Sequence, residues 1–362
     1  QDAAETLGVP TVLIGYQIAL VYAVGTVASL VAGSLVARYG PCRMSQICLL
    51  ACAAACLVAT VPSIAAIVVA SVALGFAYGL TNPSAASLLA RNTTEGNRSL
   101  LFSVKQSGVP LGGIAAGLAT AAIAVAFGSQ VAIAAIAPIA ILLAVALVPF
   151  RASWDAARRP GLALGSDIVG GLADVRRNPA LVRLSAYGFC FAAIQLCLLG
   201  FVVSLAVEEL GFGALLAGGL LATVQAAGLV GRLSWGYVAD RIGSNVAVLT
   251  AIAFVATGCA LAMTLLDADS PRVLAFAIAA LFGASAVGWN GVFLSEVVRH
   301  ADPAKIGTAA GVATFFLFAG VIVGPSLFVS LHGIFGSHAS AFGALAVPAI
   351  AAAVFLRVGA GR

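Results

Sequence analysis

Long runs of apolar residues, separated by short polar and charged clusters, dominate this sequence. A helix that crosses a membrane needs roughly 20 consecutive, mainly apolar residues. The spans predicted on this basis lie one each in 10–37, 184–207, 210–239, 242–266 and 273–295, and two each in 44–90, 106–150 and 306–356. The pattern therefore predicts an all-α membrane protein with eleven spans.

Composition supports the same class. Of the 362 residues, 62% are hydrophobic and 9% are charged, whereas soluble domains carry about 25% charged residues. The formal net charge of +5 does not indicate nucleic-acid binding, because the basic residues gather at the ends of the predicted spans.

Those basic residues lie almost entirely on one face of the membrane. The opposite loops hold Glu208, Glu209, Asp267 and Asp269, with Arg272 as the one basic residue among them. By the positive-inside rule the basic face is cytoplasmic. We therefore expect a multi-pass protein of the bacterial inner (plasma) membrane, with its C-terminus in the cytoplasm.

Two octapeptides of similar pattern lie about half a chain apart. Residues 236–243 read GYVADRIG, and residues 33–40 read GSLVARYG. The matching positions are Gly33 with Gly236, Arg38 with Arg241, and Gly40 with Gly243, while Ala37 stands at the position of Asp240. Such a repeated loop among apolar runs indicates a duplicated membrane protein.

A second correspondence supports duplication. The spacing of Gly75, Asn82, Ser87 and Arg91 is the spacing of Gly283, Asn290, Ser295 and Arg299. The repeat predicts a first bundle in residues 1–150, a cytoplasmic linker in 151–183 and a second bundle in 184–362.

The octapeptides resemble the loop motif of the major facilitator superfamily, which occurs between the second and third helices and again between the eighth and ninth. The resemblance implies two pseudo-symmetric bundles of six helices that rock around a central cavity. It also implies twelve spans, one more than the eleven predicted. Since the sequence starts at Gln1, we expect the missing first helix in roughly 40–50 preceding residues, with residues 1–9 as the loop that follows it.

The resemblance gives Asp240 a role in gating. Its carboxylate would cap the helix that begins near Ser99 and hold the cytoplasmic gate shut; the alternative is a solvated loop acid. Ala37 has no carboxylate, so we expect the equivalent contact at the helix near residues 305–307 to be weak.

Polar residues inside the spans are candidates for the substrate cavity. Lys105 either binds an anionic group there or extends to the lipid headgroups. Each of the other polar residues alone suits interhelical hydrogen bonding, but the resemblance places their helices around the cavity. The set comprises Gln17, Tyr22, Asn82, Gln106, Tyr187, Gln195, Gln225, Trp289 and Asn290.

Two further charges, Arg232 and Glu296, lie near the cytoplasmic ends of their spans. We predict a structural ion pair, with each other or with loop charges, over a proton relay. The seven cysteines fit packing positions rather than a metal site. The three histidines are scattered along the sequence, so no metal and no cofactor is expected.

The resemblance implies a secondary active transporter that moves a small solute by alternating access, not an enzyme. Lys105 favours a small organic anion as the substrate. A drug or amphiphile efflux transporter, or a non-transporting receptor on the same scaffold, remains the alternative. The expected partners are the substrate, the lipid bilayer and a coupling proton or ion, and the protein is expected to be a monomer.

Overall fold

The computed structural model describes residues 13–162 and 167–358; the side chains of 13–15, 117, 118, 121 and 167–169 also lie outside the description. Every regular element in the described part is a helix. The predicted loop at residues 1–9 lies outside the described residues.

The helices follow the apolar runs. In the first half they are α1 (Leu13–Tyr39), α2 (Pro41–Val58), α3 (Ile64–Asn92), α4 (Arg98–Phe127), α5 (Ser129–Ala134), α6 (Ile136–Ala146), α7 (Arg151–Trp154) and α8 (Asp167–Arg177), with a 3₁₀ turn at Val148–Phe150. In the second half they are α9 (Pro179–Glu208), α10 (Ala214–Ile242), α11 (Asn245–Met263), α12 (Arg272–Ala286), α13 (Asn290–His300), α14 (Ile306–Phe335), α15 (His338–Ala344) and α16 (Ala346–Arg357).

Several of these helices join end to end into longer spans, such as Ser129–Trp154, Arg272–His300 and His338–Arg357. Within the described residues, ten segments are long and apolar enough to cross a membrane. The predicted count of eleven is therefore one too high on this measure. The segment that is not among the ten is α4, three of whose side chains fall outside the description.

Clustering of contacts divides the chain into two compact units. Unit 1 comprises Gln1–Asn92, Leu111–Arg177 and Ala301–Phe318, and unit 2 comprises Thr93–Pro110, Asn178–His300 and Ala319–Arg362. Helices α4 and α14 each contribute residues to both units. The predicted bundle boundaries at residues 150 and 184 remain a prediction.

Small side chains allow the helices of unit 1 to pack closely. A buried cluster joins α1, α2 and α3 through Ala28, Ala32, Val36, Met44, Cys48, Ala77 and Leu80. Cys56 packs beside a second cluster of alanines, and all seven cysteines are free. Contacts of this kind replace the hydrophobic effect as the driving force between helices in lipid.

In unit 2 glycines bring α10 and α12 together. A side chain at Gly231 would overlap the backbone of Ala284, and one at Gly283 would overlap the backbone of Val224. The aromatic ring of Phe342 lies 4.8 Å from that of Phe328 and 6.5 Å from that of Phe282. This packing fixes the positions of the polar residues described next.

Candidate functional site: a capped helix and a polar cluster

The carboxylate of Asp240, near the end of α10, accepts two hydrogen bonds from the start of α4. The backbone N–H of Ser99 donates to Oδ1 at 2.9 Å, and that of Leu100 donates to Oδ2 at 2.8 Å. The first N–H groups of a helix lack partners within the helix and carry partial positive charge. One carboxylate therefore accepts hydrogen bonds from two of these N–H groups and balances their partial positive charge. We call this contact the Asp240 cap.

A buried group of polar side chains supports the Asp240 cap. The hydroxyl of Ser99 lies 2.9 Å from Oδ1 of Asn245 and 2.9 Å from the hydroxyl of Ser295. The amide of Asn245 also donates to the Ser295 hydroxyl at 3.2 Å. Ser295 belongs to the repeated spacing of Gly, Asn, Ser and Arg that the sequence shows. That repeat therefore marks a residue that contacts the start of α4.

The two glycines of the second octapeptide, Gly236 and Gly243, meet two different geometric requirements. Gly243 ends α10 with a φ of 72°, a left-handed conformation that favours glycine. Gly236 faces α4 so closely that a side chain there would overlap Ser103. Arg241 is more exposed, and its Nε donates to the hydroxyl of Tyr237 at 2.9 Å.

The first copy of the octapeptide is built similarly but lacks the carboxylate. Gly33 faces Thr308 of α14 as closely as Gly236 faces Ser103. Ala37 lines a cavity of about 490 Å³ beside the start of α14, together with Arg91, Arg158 and Lys305. Arg38 donates to the carbonyl of Leu162 at 3.1 Å. The two copies thus share close helix approach but differ in capping.

Sequence reasoning missed a second carboxylate cap. Asp155 is 3% exposed, and it accepts hydrogen bonds from the backbone N–H groups of Cys42 at 2.8 Å and Arg43 at 3.1 Å. These N–H groups belong to the first turn of α2, which begins directly after Gly40, whose φ is 96°. Asp155 follows an apolar run without any motif, so its sequence context gives little signal.

The break between α12 and α13 is the central polar feature of unit 2. Residues 287–289 are not helical, and the carbonyl of Val287 accepts a hydrogen bond from Nε of Arg232 at 3.0 Å. Nη1 of Arg232 donates to the carbonyl of Gln106 on α4. Interrupted helices need such partners for their freed carbonyls, and in transporters they often border the substrate site.

Lys105 lies beside this break. Its Nζ donates to the side-chain carbonyl of Gln106 at 2.8 Å. Gln106 is 5% exposed and Arg232 is 3% exposed, and Lys105 and Arg232 interact electrostatically. The structure thus brings two cations together around one glutamine; Arg232 and Gln106 are buried, and Lys105 is partly buried.

On the other side of the break, three predicted cavity residues form one network. Oε1 of Gln195 accepts hydrogen bonds from the indole N–H of Trp289 and from the amide of Asn290, both at 3.1 Å. Trp289 is fully buried and Asn290 is 8% exposed. The network therefore orients Trp289, the last residue of the break, and Asn290, the first residue of α13.

Two predicted tyrosines occupy different surroundings. Tyr187 is fully buried, donates to the carbonyl of Leu249 at 2.9 Å and stacks on Phe191 at 4.3 Å. This geometry favours packing over cavity lining. In unit 1, Tyr22 is half-buried and meets the rings of Tyr78 at 5.7 Å and Phe318 at 5.4 Å.

The contacts described for Lys105, Arg232 and Gln195 do not include three further cavity candidates. Gln17 lies on α1, Asn82 on α3 and Gln225 on α10, and each is partly buried. Asn82 directly precedes Pro83 within its helix, at the repeat position of Asn290. Their part in a cavity stays a prediction.

Glu296, for which pairing with Arg232 or with loop charges is predicted, contacts two charged residues at the end of its own helix. The fully buried carboxylate of Glu296 lies 3.1 Å from Nε of Arg299 and 2.9 Å from Nε2 of His300. Arg232 instead donates to backbone carbonyls, since it compensates for the break in the neighbouring helix.

Two of the three histidines, although separate in the sequence, lie together in the structure. The rings of His332 and His338 lie 4.0 Å apart, and Nδ1 of His338 lies 3.2 Å from Oε1 of Glu209. Two histidines six residues apart around Gly336 could have indicated a helical hairpin that brings them together.

The helical architecture, with ten segments in the described residues that are long and apolar enough to cross a membrane, defines a polytopic membrane protein. The profile of the major facilitator superfamily matches residues 1–325, and the chain belongs to that family. Family membership places it among integral membrane transporters rather than among enzymes.

Individual relatives agree with this assignment. An MFS-type transporter of Gibberella moniliformis (strain M3125 / FGSC 7600) is 28% identical over 149 residues, which are 41% of this chain and 35% of that protein. The matched region is thus about a third of that relative.

Solved structures of low sequence identity share the fold. The E. coli fucose:proton symporter is 15% identical with a TM-score of 0.74, over 98% of this chain and 94% of that one. A human organic anion transporter is 18% identical with a TM-score of 0.74, over 98% and 88%. A bacterial homologue of the iron transporter ferroportin is 12% identical with a TM-score of 0.77, over 98% and 91%.

Proposed function

We propose that this protein is a secondary active transporter that moves a small organic anion across the membrane by alternating access. The observation that carries the proposal is the pair of cations Lys105 and Arg232 around Gln106, next to the break between α12 and α13. Like charges repel strongly where water is scarce, so an anion bound between them would be stabilised by both.

The Asp240 cap supplies the gating element of this mechanism. It joins α10 to the start of α4, two helices that belong to different predicted bundles. Alternating access in this architecture requires one bundle to move against the other. Opening on the basic side, which we assign to the cytoplasm, would break these two hydrogen bonds.

A drug or amphiphile efflux transporter is the second candidate. The amide and indole groups of Gln195, Trp289 and Asn290 favour it, because aromatic and amide groups suit large neutral ligands. A receptor without transport activity on the same scaffold is the third. The substrates named for the fucose:proton symporter and the organic anion transporter belong to those proteins, and the shared fold alone does not choose between them.

Coupling to a proton or another ion is part of the proposal. Glu296 is the fully buried acid of unit 2 in the described residues, and it is already paired with Arg299 and His300. This arrangement favours a structural role for Glu296 over proton relay. We further propose a monomer in a bacterial inner (plasma) membrane, with two bundles at residues 1–150 and 184–362 joined by the linker 151–183 and the C-terminus in the cytoplasm.

Counterflow in liposomes tests the function. Protein is reconstituted in vesicles loaded with one unlabelled compound, and uptake of the same labelled compound is followed without any imposed ion gradient. We expect counterflow with small carboxylates or other organic anions. Counterflow with neutral or cationic amphiphiles alone would establish the second candidate, and saturable binding without exchange would establish the receptor.

A further inference from the structure

A cluster of metal-binding side chains lies in unit 2, away from the polar cluster described above. The ligand atoms of Glu209, His332 and His338 all lie within 4.8 Å of one another. Glu209 follows the end of α9, His332 lies in the last turn of α14, and His338 opens α15. Three helix ends therefore meet at this point, at the loops opposite the basic face.

The backbone holds the cluster in place. Gly336, with a φ of 69°, ends α14, and its N–H donates to the carbonyl of His332 at 2.8 Å. The carboxylate of Glu209 accepts hydrogen bonds from the hydroxyl of Ser337 at 3.0 Å, from the N–H of Ala339 at 3.0 Å and from the N–H of His338. The side chains that meet here are thus fixed on three elements.

The separation of the ligand atoms suits a tetrahedral ion. With bonds of about 2.0–2.1 Å to nitrogen or oxygen, two ligands of a tetrahedral zinc ion lie ~3.3 Å apart. Nδ1 of His338 and Oε1 of Glu209 are 3.2 Å apart. Oε2 of Glu208 lies 3.8 Å from the same Nδ1, within reach of a fourth position, and a ring nitrogen of His332 lies within 4.8 Å of the ligand atoms of Glu209 and His338.

We propose that Glu209, His332 and His338 bind a divalent transition-metal ion, Zn²⁺, with Glu208 or water as the fourth ligand. Two imidazoles and a carboxylate form a ligand set that zinc prefers. The bound ion ties the end of α9 to the ends of α14 and α15. Helix capping alone accounts for Glu209 and the backbone of His338, but it does not account for the imidazole of His332 beside them. The proposal does not depend on the proposed transport function.

Metal binding to the full-length, tag-free protein in detergent is the test. After removal of metal with a chelator, protein is dialysed against Zn²⁺ and the bound metal is measured per chain. Co²⁺ is then substituted, because tetrahedral cobalt with nitrogen and oxygen ligands absorbs strongly in the visible range. His332→Ala is compared with His300→Ala, which removes the histidine paired with Glu296.

We expect one Zn²⁺ per chain, a tetrahedral Co²⁺ spectrum, and a melting temperature that rises with Zn²⁺. His332→Ala is expected to lower the affinity at least ~10-fold and to abolish the spectrum, whereas His300→Ala keeps both. The melting temperature in chelator verifies that each variant is folded, and His332→Asn replaces His332→Ala if that variant is not. A wild-type protein without bound Zn²⁺, or equal affinity in the two histidine variants, would overturn the proposal.

Discussion

The carboxylate of Asp240 accepts a hydrogen bond of 2.9 Å from the backbone N–H of Ser99, 141 residues away in the sequence. The partner bond to Leu100 is 2.8 Å. An acid in the last turn of α10 thus serves as the N-terminal cap of α4, which is distant in the sequence. In our account this contact is the element that alternating access makes and breaks.

The close approach around this contact gives a first prediction. In Gly236→Ala the added methyl group would overlap Ser103, and we expect a loss of stability of about 1–3 kcal/mol. Gly112→Ala is the matched control, because a methyl group on Gly112 meets nothing within 4 Å. Thermal unfolding in detergent measures both variants. Equal melting temperatures would show that α4 and α10 do not pack as closely as described.

The missing carboxylate of the first repeat gives a second prediction. In Ala37→Asp the new carboxylate lies in the cavity beside the start of α14. We expect it to cap that helix and to stabilise the protein by about 1 kcal/mol. Ala157→Asp places the same charge in the same cavity as the control. Similar unfolding of the two variants would contradict a specific cap.

Sequence alone indicated several residues at and around the Asp240 cap. The octapeptide repeat marks the positions of Gly236 and Asp240, and the second repeat marks Ser295, because duplicated halves keep equivalent contacts. The orientation of amide groups across helices is not encoded in such patterns, so the Gln195 network and the pairing of Glu296 required the structure. His332 and Glu209 lie 123 positions apart in the sequence and belong to no common motif, so their proximity depends on the fold of unit 2 as a whole.

Lys105 gives a third prediction. The sequence contains two lysines, Lys105 and Lys305, and Lys305 pairs with Asp174 at the surface. If Lys105 contacts an anionic substrate, Lys105→Gln should weaken its binding about 10- to 100-fold, as expected for loss of a charged hydrogen bond. Lys305→Gln should leave binding unchanged. Substrate-concentration dependence of counterflow measures both, and full activity of Lys105→Gln would mean that Lys105 extends to the headgroups instead.

Glu296 gives a fourth prediction. Because its carboxylate is held by Arg299 and His300, Glu296→Gln should lower stability by about 2 kcal/mol and leave the pH dependence of transport unchanged. The exposed loop acid Glu95 supplies the control, Glu95→Gln. Loss of proton-driven uptake with intact counterflow in Glu296→Gln would instead identify Glu296 as the proton carrier.

The accessibility of Ser103 from the basic face reports directly whether the Asp240 cap opens. Its hydroxyl is fully buried without a hydrogen-bond partner, so Ser103→Cys breaks no hydrogen bond; it is introduced in a background without reactive native thiols. In Asp240→Asn the amide nitrogen cannot accept the hydrogen bond that the N–H of Leu100 donates to Oδ2. Loss of about 1–2 kcal/mol with this charge-assisted bond should raise the open population, and hence the labelling rate from that face, about 5- to 30-fold. Asp269→Asn, in an exposed loop, should have no effect. Unchanged labelling in Asp240→Asn would contradict the Asp240 cap as the gate.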